Sequence, residues 1–351
     1  MSTLAIELHD AGVLIREASA STHHSGSPGF AVLDGARLLT GGEAARLARL
    51  KPRHVHSRFW QDLGTSPLGA PFPREWGSAD LAYAQLEKVR QAAGADLESV
   101  LLAVSGGFSP QQLALLLGIA EAAGLPVTGM IDSAVATAGT GMLPSGRVLH
   151  LDLHLHRLVA TELEVGDDVI RGKIHLQPDV GLLELAEVWT RAIADAFIRE
   201  TRFDPLHSAG SEQQLFDRLE GWLVDIRDHD RIEIGLAGSG VEHRAEVRRS
   251  ALIRAAEPLY ATLFDQVRAA DGANGATSLA LAQRTSALPG LEQMLEEMTG
   301  RRVVTLPLDA AARGCLAARE SIETDEPGIR LITRLTRAGV PQGPEASDGA
   351  T

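Results

Sequence analysis

The sequence predicts an α/β protein made of two halves, each of which begins with hairpin strands and continues with strand–helix units. Three observations support this prediction. The 351 residues are too many for one small domain and suit two. Apolar runs typical of strands alternate with helical periodicity along the chain. The pattern restarts near residue 145, so we expect lobes at residues 1–145 and 146–338, with a Pro/Gly/Ser-rich disordered tail at 339–351.

The first half opens with two predicted hairpins, because apolar runs flank short turn-forming sequences. Asp10-Ala11-Gly12 forms the first turn, and Asp34-Gly35 is the signal for the second. Ser109 and Pro110 are an N-cap and a first-turn residue that favour the start of a helix. Periodicity predicts helices at residues 42–50, 79–93, 109–123 and 133–139, and strands at 99–104 and 127–131.

The second half begins with a long predicted hairpin and then becomes mostly helical. Its first three strands are expected at residues 146–154, 158–165 and 169–175. Residues 329–335 (IRLITRL) read as an edge strand that is able to pair with another chain. Between them we expect helices at residues 182–199, 212–228, 244–269, 288–299 and 310–320, and strands at 231–235 and 277–282.

Composition and charge exclude several classes of protein. A hydrophobic fraction of 44% and a charged fraction of 23% argue against global disorder. No apolar run approaches the roughly 20 residues that cross a bilayer, and the N-terminus does not resemble a secretory signal. With one cysteine, Cys315, the chain forms no internal disulfide, so we expect a cytoplasmic protein. A net charge of −13 disfavours nonspecific binding to nucleic acid.

Six segments carry short motifs in a consistent order: residues 39–52, 104–113, 124–138, 148–153, 278–295 and 307–318. Among them are LTGGEAA followed by LKP, VSGGFSPQQL, IDSAVATA and VLHLDL. Together they resemble the nucleotide-binding domain of the seventy-kilodalton heat-shock chaperones, within the actin and sugar-kinase superfamily. The resemblance implies an actin-like ATPase fold, in which two related ribonuclease-H-like lobes surround a central cleft that binds ATP and Mg. It also implies that the residues after Ile322 are too few for the chaperones' peptide-binding sandwich.

The positions that bind phosphate in that family carry different residues here. The first phosphate hairpin reads Glu7-Leu8-His9-Asp10-Ala11, and the second reads Asp152-Leu153-His154-Leu155-His156-Arg157. Such hairpins need glycines because backbone N–H groups must approach phosphate oxygens without an intervening Cβ. The family's catalytic lysine falls near Trp60, its glutamate becomes Ser133, and its adenosine motif becomes residues 283–289, which include Arg284. Phosphoryl transfer depends on positioning and electrostatic stabilisation, so these changes predict a pseudo-ATPase.

We therefore expect a degenerate relative of the heat-shock and actin proteins that acts as a binding, scaffold or self-assembling protein. The alternative is a divergent ATP-binding protein, chaperone-like or cytoskeletal. Its nucleotide and magnesium would contact Glu7, His9, Asp10, Asp152, His154 and Arg284. A third interpretation, a sugar- or acetate-kinase-like enzyme, meets the same objection, because those enzymes need the same glycine-rich loops.

Four polar residues, His150, Asp152, His154 and His156, alternate along the predicted strand. Period two would direct them to one face. The resemblance implies that this face lies near the first phosphate hairpin. Imidazole and carboxylate groups suit zinc, which makes His9, Asp152, His154 and His156 candidate metal ligands. Residues two apart on a strand lie roughly 6.5–7 Å apart, so they rarely share an ion without help from another strand. Two other interpretations remain: side chains that fill the former phosphate pocket, and a pH-sensitive contact.

Overall fold

A computed structural model of the chain describes residues 2–18, 23–94, 97–238, 240–271, 275–276, 278–322 and 328–337. In these ranges the strands form two six-stranded sheets, one two-stranded sheet and one three-stranded sheet, with helices between them. The predicted α/β class is confirmed. None of the helices in these ranges combines the length and the apolar character needed to cross a membrane. The predicted tail at 339–351 lies outside the described residues.

The first large sheet has the strand order β16-β8-β7-β1-β2-β3. Its central strands are the most apolar part of the first half, since every residue from Val100 to Val104 is buried. The strands are β1 (Ser2–Leu8), β2 (Val13–Glu17), β3 (His23–Ser27), β7 (Leu97–Val104), β8 (Val127–Asp132) and β16 (Leu331–Ile332).

The second large sheet has the strand order β15-β14-β9-β10-β11-β17. The long β9–β10 hairpin forms its centre, with eight paired residues from Val165↔Gly146 to Leu158↔Leu153. The strands are β9 (Gly146–Leu153), β10 (Arg157–Val165), β11 (Asp168–Pro178), β14 (Ser278–Ala282), β15 (Arg302–Leu306) and β17 (Arg334–Thr336).

The two large sheets have the same internal plan. In the first, β1 is antiparallel to β2 and parallel to β7, and β7 is parallel to β8. In the second, β9 is antiparallel to β10 and parallel to β14, and β14 is parallel to β15. Five strands of each sheet therefore form a three-stranded meander extended by two parallel strands, and the turn that follows the first strand has the same position in both. The sixth strand differs: β16 lies beside β8 in the first sheet, and β17 lies beside β11 in the second.

Two small sheets and the helices complete the described structure. The small sheets are β5-β4-β6 and β12-β13. Their strands are β4 (Ala31–Asp34), β5 (Arg37–Thr40), β6 (Val55–His56), β12 (Arg231–Gly238) and β13 (Val241–Arg248). The helices are α1 (Gly42–Ala45), α2 (Ser78–Ala92), α3 (Pro110–Ala122), α4 (Ser133–Gly139), α5 (Leu182–Thr201), α6 (Ala209–Arg227), α7 (Arg249–Asp271), α8 (Gln283–Ser286), α9 (Leu291–Thr299), α10 (Ala310–Ala317) and α11 (Arg319–Ile322).

Most predicted elements are present, and the exceptions have local causes. The predicted helix 42–50 ends at Ala45, after which the chain turns towards β6. The second hairpin turns at Gly35-Ala36, not at Asp34-Gly35, because Asp34 still pairs with Arg37 and Gly35 takes the positive φ of 62°. The sequence analysis missed β15, although its β-branched run is bounded by Gly300 and Pro307.

Two further predictions are corrected. The predicted helix 244–269 begins only at Arg249, because the preceding residues form β13, in which Ala245 and Val247 are buried between charged neighbours. The single predicted edge strand 329–335 is two short strands. β16 pairs with β8 in the first sheet, and β17 pairs with β11 in the second. This last segment therefore belongs to both sheets, although the sequence placed it in the second half alone.

A buried apolar layer connects the two large sheets. It contains residues from β1, β7, β9 and β10 together with the helices α4 and α10. These helices approach so closely that a Cβ added to Gly314 would lie 1.7 Å from the carbonyl oxygen of Ala136. Only glycine fits at this crossing. The layer holds the first turns of both sheets against each other.

Candidate functional site

The turns that follow β1 and β9 are in direct contact. The carboxylate of Asp10, in the first turn, accepts a hydrogen bond from the backbone N–H of Leu155 at 3.0 Å. The same oxygen lies 3.0 Å from Nδ1 of His154. All of these groups are buried. The Asp10 side chain therefore occupies the space between the two turns and links them through two hydrogen bonds.

His9 packs beside the contact between Asp10 and His154. Its ring stacks on that of His154 with centroids 4.1 Å apart and planes inclined by 20°. The backbone N–H of Ala11 donates to Nδ1 of His9 at 3.1 Å, so a neutral His9 carries its proton on Nε2. That nitrogen lies 3.2 Å from Oδ1 of Asp152, within ion-pair distance but not aligned as a hydrogen bond. His9 thus fills the gap between Asp152 and the first turn.

Glu7 and Arg284 form the outer edge of this cluster. Nη2 of Arg284 lies 3.4 Å from Oε1 of Glu7, and both side chains are largely buried. They line, with Asp152 and Ser133, a cavity of only about 10 Å³. A water molecule needs roughly that volume, so this cavity, which lies beside the two turns, accommodates a single water and no larger ligand.

Burial shifts the pKa values of this cluster in opposite directions. It raises the pKa of Glu7 to about 7, although Arg284 acts against the shift. It lowers the pKa of His9 to about 4, with help from the charge of Arg284. Burial would also raise the pKa of Asp10 and of Asp152, but the neighbouring imidazoles hold both below the usual range. The cluster therefore keeps two carboxylates ionised and one histidine neutral near pH 7.

Several polar atoms of the cluster have no hydrogen-bond partner among the described residues, and all of them are buried. They are Glu7 Oε2, His9 Nε2, Asp152 Oδ1, His154 Nε2 and Arg284 Nε. An unsatisfied buried polar atom costs about 1–3 kcal/mol. Such a concentration of unsatisfied atoms is typical of a functional site, a bound water or an ion.

The geometry fits a shared metal ion poorly. Donor atoms of His9, Asp10 and His154 lie within 4.8 Å of one another. However, Asp10 Oδ1 already accepts from the facing turn, and Nδ1 of His9 already accepts from Ala11. The stacked rings also direct their lone pairs along nearly parallel planes, whereas two imidazoles must converge on a zinc ion at about 2.0–2.1 Å. The arrangement therefore favours packing and hydrogen bonding.

His156 does not join this cluster, although the sequence grouped it with His9, Asp152 and His154 as a metal ligand. β9 ends at Leu153, so the period-two alternation stops before His154 and the chain turns. The ring of His156 lies between Ser57 and Glu184, at hydrogen-bond distance from both. His150 stays on β9, where it is buried and where burial lowers its pKa.

The N-terminus of α5 is occupied by the same turn. The backbone N–H groups of Leu182 and Leu183 donate to the carbonyl oxygens of His154 and Leu155, each at 2.9 Å. A Cβ on Gly181 would lie 2.4 Å from the Leu155 carbonyl oxygen. Free N–H groups at a helix N-terminus attract anions. Here these donors are already paired with the backbone of the turn.

The remaining sequence candidates also make internal contacts. The indole of Trp60 is buried and donates to Oε1 of Gln85 at 2.8 Å. Ser133 is the first residue of α4 and lines the small cavity. Within the predicted adenosine motif, the hydroxyl of Thr285 accepts from the backbone N–H of Leu153 at 3.2 Å. Trp60 and Thr285 therefore connect elements of the protein to one another.

The structure brings together Glu7, His9, Asp10, Asp152, His154 and Arg284, the residues that the sequence proposed for this cleft. The sequence analysis missed Ser57 and Glu184, because neither lies in a recognisable motif and they approach His156 from distant segments. In comparisons with known proteins, no family model matches the chain and no curated protein matches it.

Proposed function

We propose that this chain is a degenerate member of the actin-like ATPase superfamily, a pseudo-ATPase that acts as a binding, scaffold or self-assembling protein. The shared plan of the two large sheets supports the fold part of this proposal. A meander extended by two parallel strands, present twice in one chain, is the arrangement expected of two ribonuclease-H-like lobes around a cleft. The turns after β1 and β9 then correspond to the two phosphate hairpins.

The contact between those two turns is the observation that carries the functional part. A triphosphate would have to lie where the Asp10 carboxylate bonds to His154 and Leu155. The cavity that remains beside Glu7 and Asp152 measures about 10 Å³. The Asp10 carboxylate and its two partners therefore occupy the position of a phosphate between the turns, and the neighbouring cavity is too small for one.

The charges around the two turns oppose the binding of a phosphate, as the small volume does. Asp10 and Asp152 are buried carboxylates whose pKa values are held low, so both are anionic near pH 7. Like charges within a few ångströms in a low-dielectric interior repel strongly. Two arginines lie nearby: Arg284 is 3.4 Å from Glu7, and the buried Arg157 interacts electrostatically with Asp10. A phosphate would have to displace these pairs as well as fit the space.

The chemistry of the replaced positions supports the loss of catalysis. Trp60 cannot carry the positive charge of a lysine, and its N–H is bonded to Gln85. Ser133 has no group that would activate a water molecule as a carboxylate does. A protein of this fold that has lost nucleotide chemistry can still bind partners or assemble, by analogy with other proteins of the fold.

Thermal denaturation with and without Mg-ATP tests the proposal. A ligand present at about 100 times its Kd stabilises the folded state by about 2.7 kcal/mol. We expect no change in melting temperature at millimolar Mg-ATP, whereas the divergent ATPase predicts a clear rise. A rise that disappears in the Asp152→Asn variant would overturn the proposal. Light scattering after size exclusion tests the assembly role, for which we expect species larger than a monomer that grow with concentration.

A further inference from the structure

A second and larger cleft lies on the other side of the β9–β10 turn. Its volume is about 300 Å³, close to the lower limit for small-molecule sites. Phe30, Leu183 and Phe216 form its apolar wall, and Ser57, His156 and Glu184 lie along it. The cleft is separate from the Asp10–His154 contact, so an activity in it would be independent of the proposed function.

Ser57, His156 and Glu184 are arranged in series. Oγ of Ser57 lies 2.9 Å from Nε2 of His156, and Nδ1 of His156 lies 3.0 Å from Oε1 of Glu184. An ionised carboxylate only accepts hydrogen bonds, so Nδ1 carries the proton. Nε2 is then the acceptor for the Ser57 hydroxyl. This is the order of nucleophile, base and orienting acid found in serine hydrolases of unrelated folds.

Three separate elements fix these residues. Ser57 follows β6 directly, and it is half-buried at the cleft wall. His156 is held by its backbone carbonyl, which accepts from the N–H of Asp179 at 3.0 Å. Glu184 lies in the first turn of α5, where the positive end of the helix dipole favours an ionised carboxylate. Burial opposes ionisation of Glu184, but the hydrogen bond from His156 lowers its pKa overall.

We propose that this cleft is an ester-hydrolase site, with Ser57 as nucleophile, His156 as general base and acid, and Glu184 as the residue that positions His156. The substrate class follows from the walls. A volume of about 300 Å³ with aromatic sides takes a short acyl chain. Three glutamates and Arg49 line it, and Arg58 lies 3.6 Å from Glu184. The carboxylates still outnumber these arginines, so the cleft selects uncharged or amine-bearing esters and disfavours anionic ones.

Arg49 contributes to this selection because its position is fixed. Its guanidinium pairs with Glu187 and Glu212 and lies 4.7 Å from the centre of the Phe216 ring. Its charge is therefore compensated from both sides. The carboxylate of Glu184 retains a buried oxygen, Oε2, without a hydrogen-bond partner in the described part of the chain. That oxygen is enclosed, so it adds negative charge beside the cleft but makes no contact with the substrate.

The chemical step needs only the ester and water. Ser57 Oγ forms a bond to the carbonyl carbon while its proton moves to Nε2 of His156. The bond between that carbon and the alcohol oxygen then breaks, and the leaving alcohol takes the proton from His156. A water molecule, deprotonated by His156, attacks the acyl–serine. The bond between the acyl carbon and Ser57 Oγ then breaks, and Oγ takes back the proton that His156 removed from the water. The products are a carboxylic acid and an alcohol.

A covalent probe of serine nucleophiles tests this directly on the intact protein. We incubate the chain with a fluorophosphonate and locate the adduct by peptide mass spectrometry. We expect it on Ser57 and not on Ser66, an exposed serine nine residues later in the sequence that is outside the cleft. An adduct absent from Ser57, or equally present on both serines, would overturn the proposal without any variant having to fold.

Turnover of p-nitrophenyl butyrate gives the second measurement. Ser57→Ala should abolish the hydrolysis of this ester, and Ser66→Ala should leave it unchanged. Glu184→Gln should slow both turnover and labelling by about tenfold or more at an unchanged melting temperature, because the base loses its orientation. Hydrolysis that persists in Ser57→Ala, or that is equally fast with an ester carrying an acyl-chain carboxylate, would contradict the assignment of the nucleophile or of the substrate class.

Discussion

Glu7 makes the stability of the protein depend on pH in a way that one substitution reveals. Its carboxyl is buried, and its pKa is raised from 4.5 to about 7. A raised pKa means that the folded state binds more protons than the unfolded state between these two values. Stability therefore falls as pH rises through this range. Glu7→Gln removes the titration, so the variant should gain stability relative to the native protein as pH rises.

The magnitude follows from the two pKa values. One pKa unit corresponds to about 1.36 kcal/mol, so the native carboxyl costs about 1 kcal/mol at pH 5 and about 3 kcal/mol at pH 8. The difference in unfolding free energy between Glu7→Gln and the native protein should therefore increase by about 2–3 kcal/mol from pH 5 to pH 8. The attraction of Arg284 is already contained in the pKa of Glu7, and any pH-independent cost of packing the amide cancels in this comparison.

Urea denaturation at the two pH values measures the effect. Glu43→Gln is the matched control, because hydrogen bonding to Lys88 lowers the pKa of that exposed carboxyl. A depressed carboxyl pKa contributes stability that is already complete above pH 4.5, so this variant should show the same offset at pH 5 and pH 8. A constant offset for Glu7→Gln as well would refute the raised pKa of Glu7.

Two further substitutions test the packing of the site. Asp10→Ala leaves two buried donors of the facing turn unpaired and should lower the unfolding free energy by about 3–5 kcal/mol in urea denaturation. The control Asp34→Ala breaks an exposed pair and should cost less than about 1 kcal/mol. Equal losses would contradict a linking role for Asp10. Gly314→Ala places a methyl group against the Ala136 carbonyl and should lower the unfolding free energy by about 3 kcal/mol. The control Gly118→Ala lies in open space on α3 and should stabilise the protein slightly. An unchanged urea midpoint for Gly314→Ala would refute the close helix crossing.

Features set by neighbouring residues could be predicted from the sequence. The capping residues Ser109 and Gln112 mark the start of α3, where the N-cap accepts from the N–H of Gln112 at 3.2 Å. The hairpins could be predicted for the same reason. The contact of His9 and Asp10 with Asp152 and His154 could also be predicted, because the resemblance implies that the two turns face each other.

Other features depend on contacts that sequence patterns do not encode. In β13, Ala245 and Val247 are the only buried positions among eight residues, which is too short an alternation to distinguish a strand from the helix that follows. The side-chain contacts of His156 join residues 99 and 28 positions away in the chain. A local periodicity cannot predict contacts between residues so far apart in the sequence. The alternation of histidines instead suggested a shared metal ion.

The segment that contains β16 and β17 determines how the two halves could part. On the first sheet it has only the two residues Leu331 and Ile332 in register with β8. On the second sheet it is held by three paired residues, by a bond from the N–H of Arg171 to the carbonyl of Thr333 at 3.0 Å, and by the Arg334–Asp168 ion pair. If the two halves separated, the pairing between β16 and β8 would break first. The segment that contains β16 and β17 would then move with the second half.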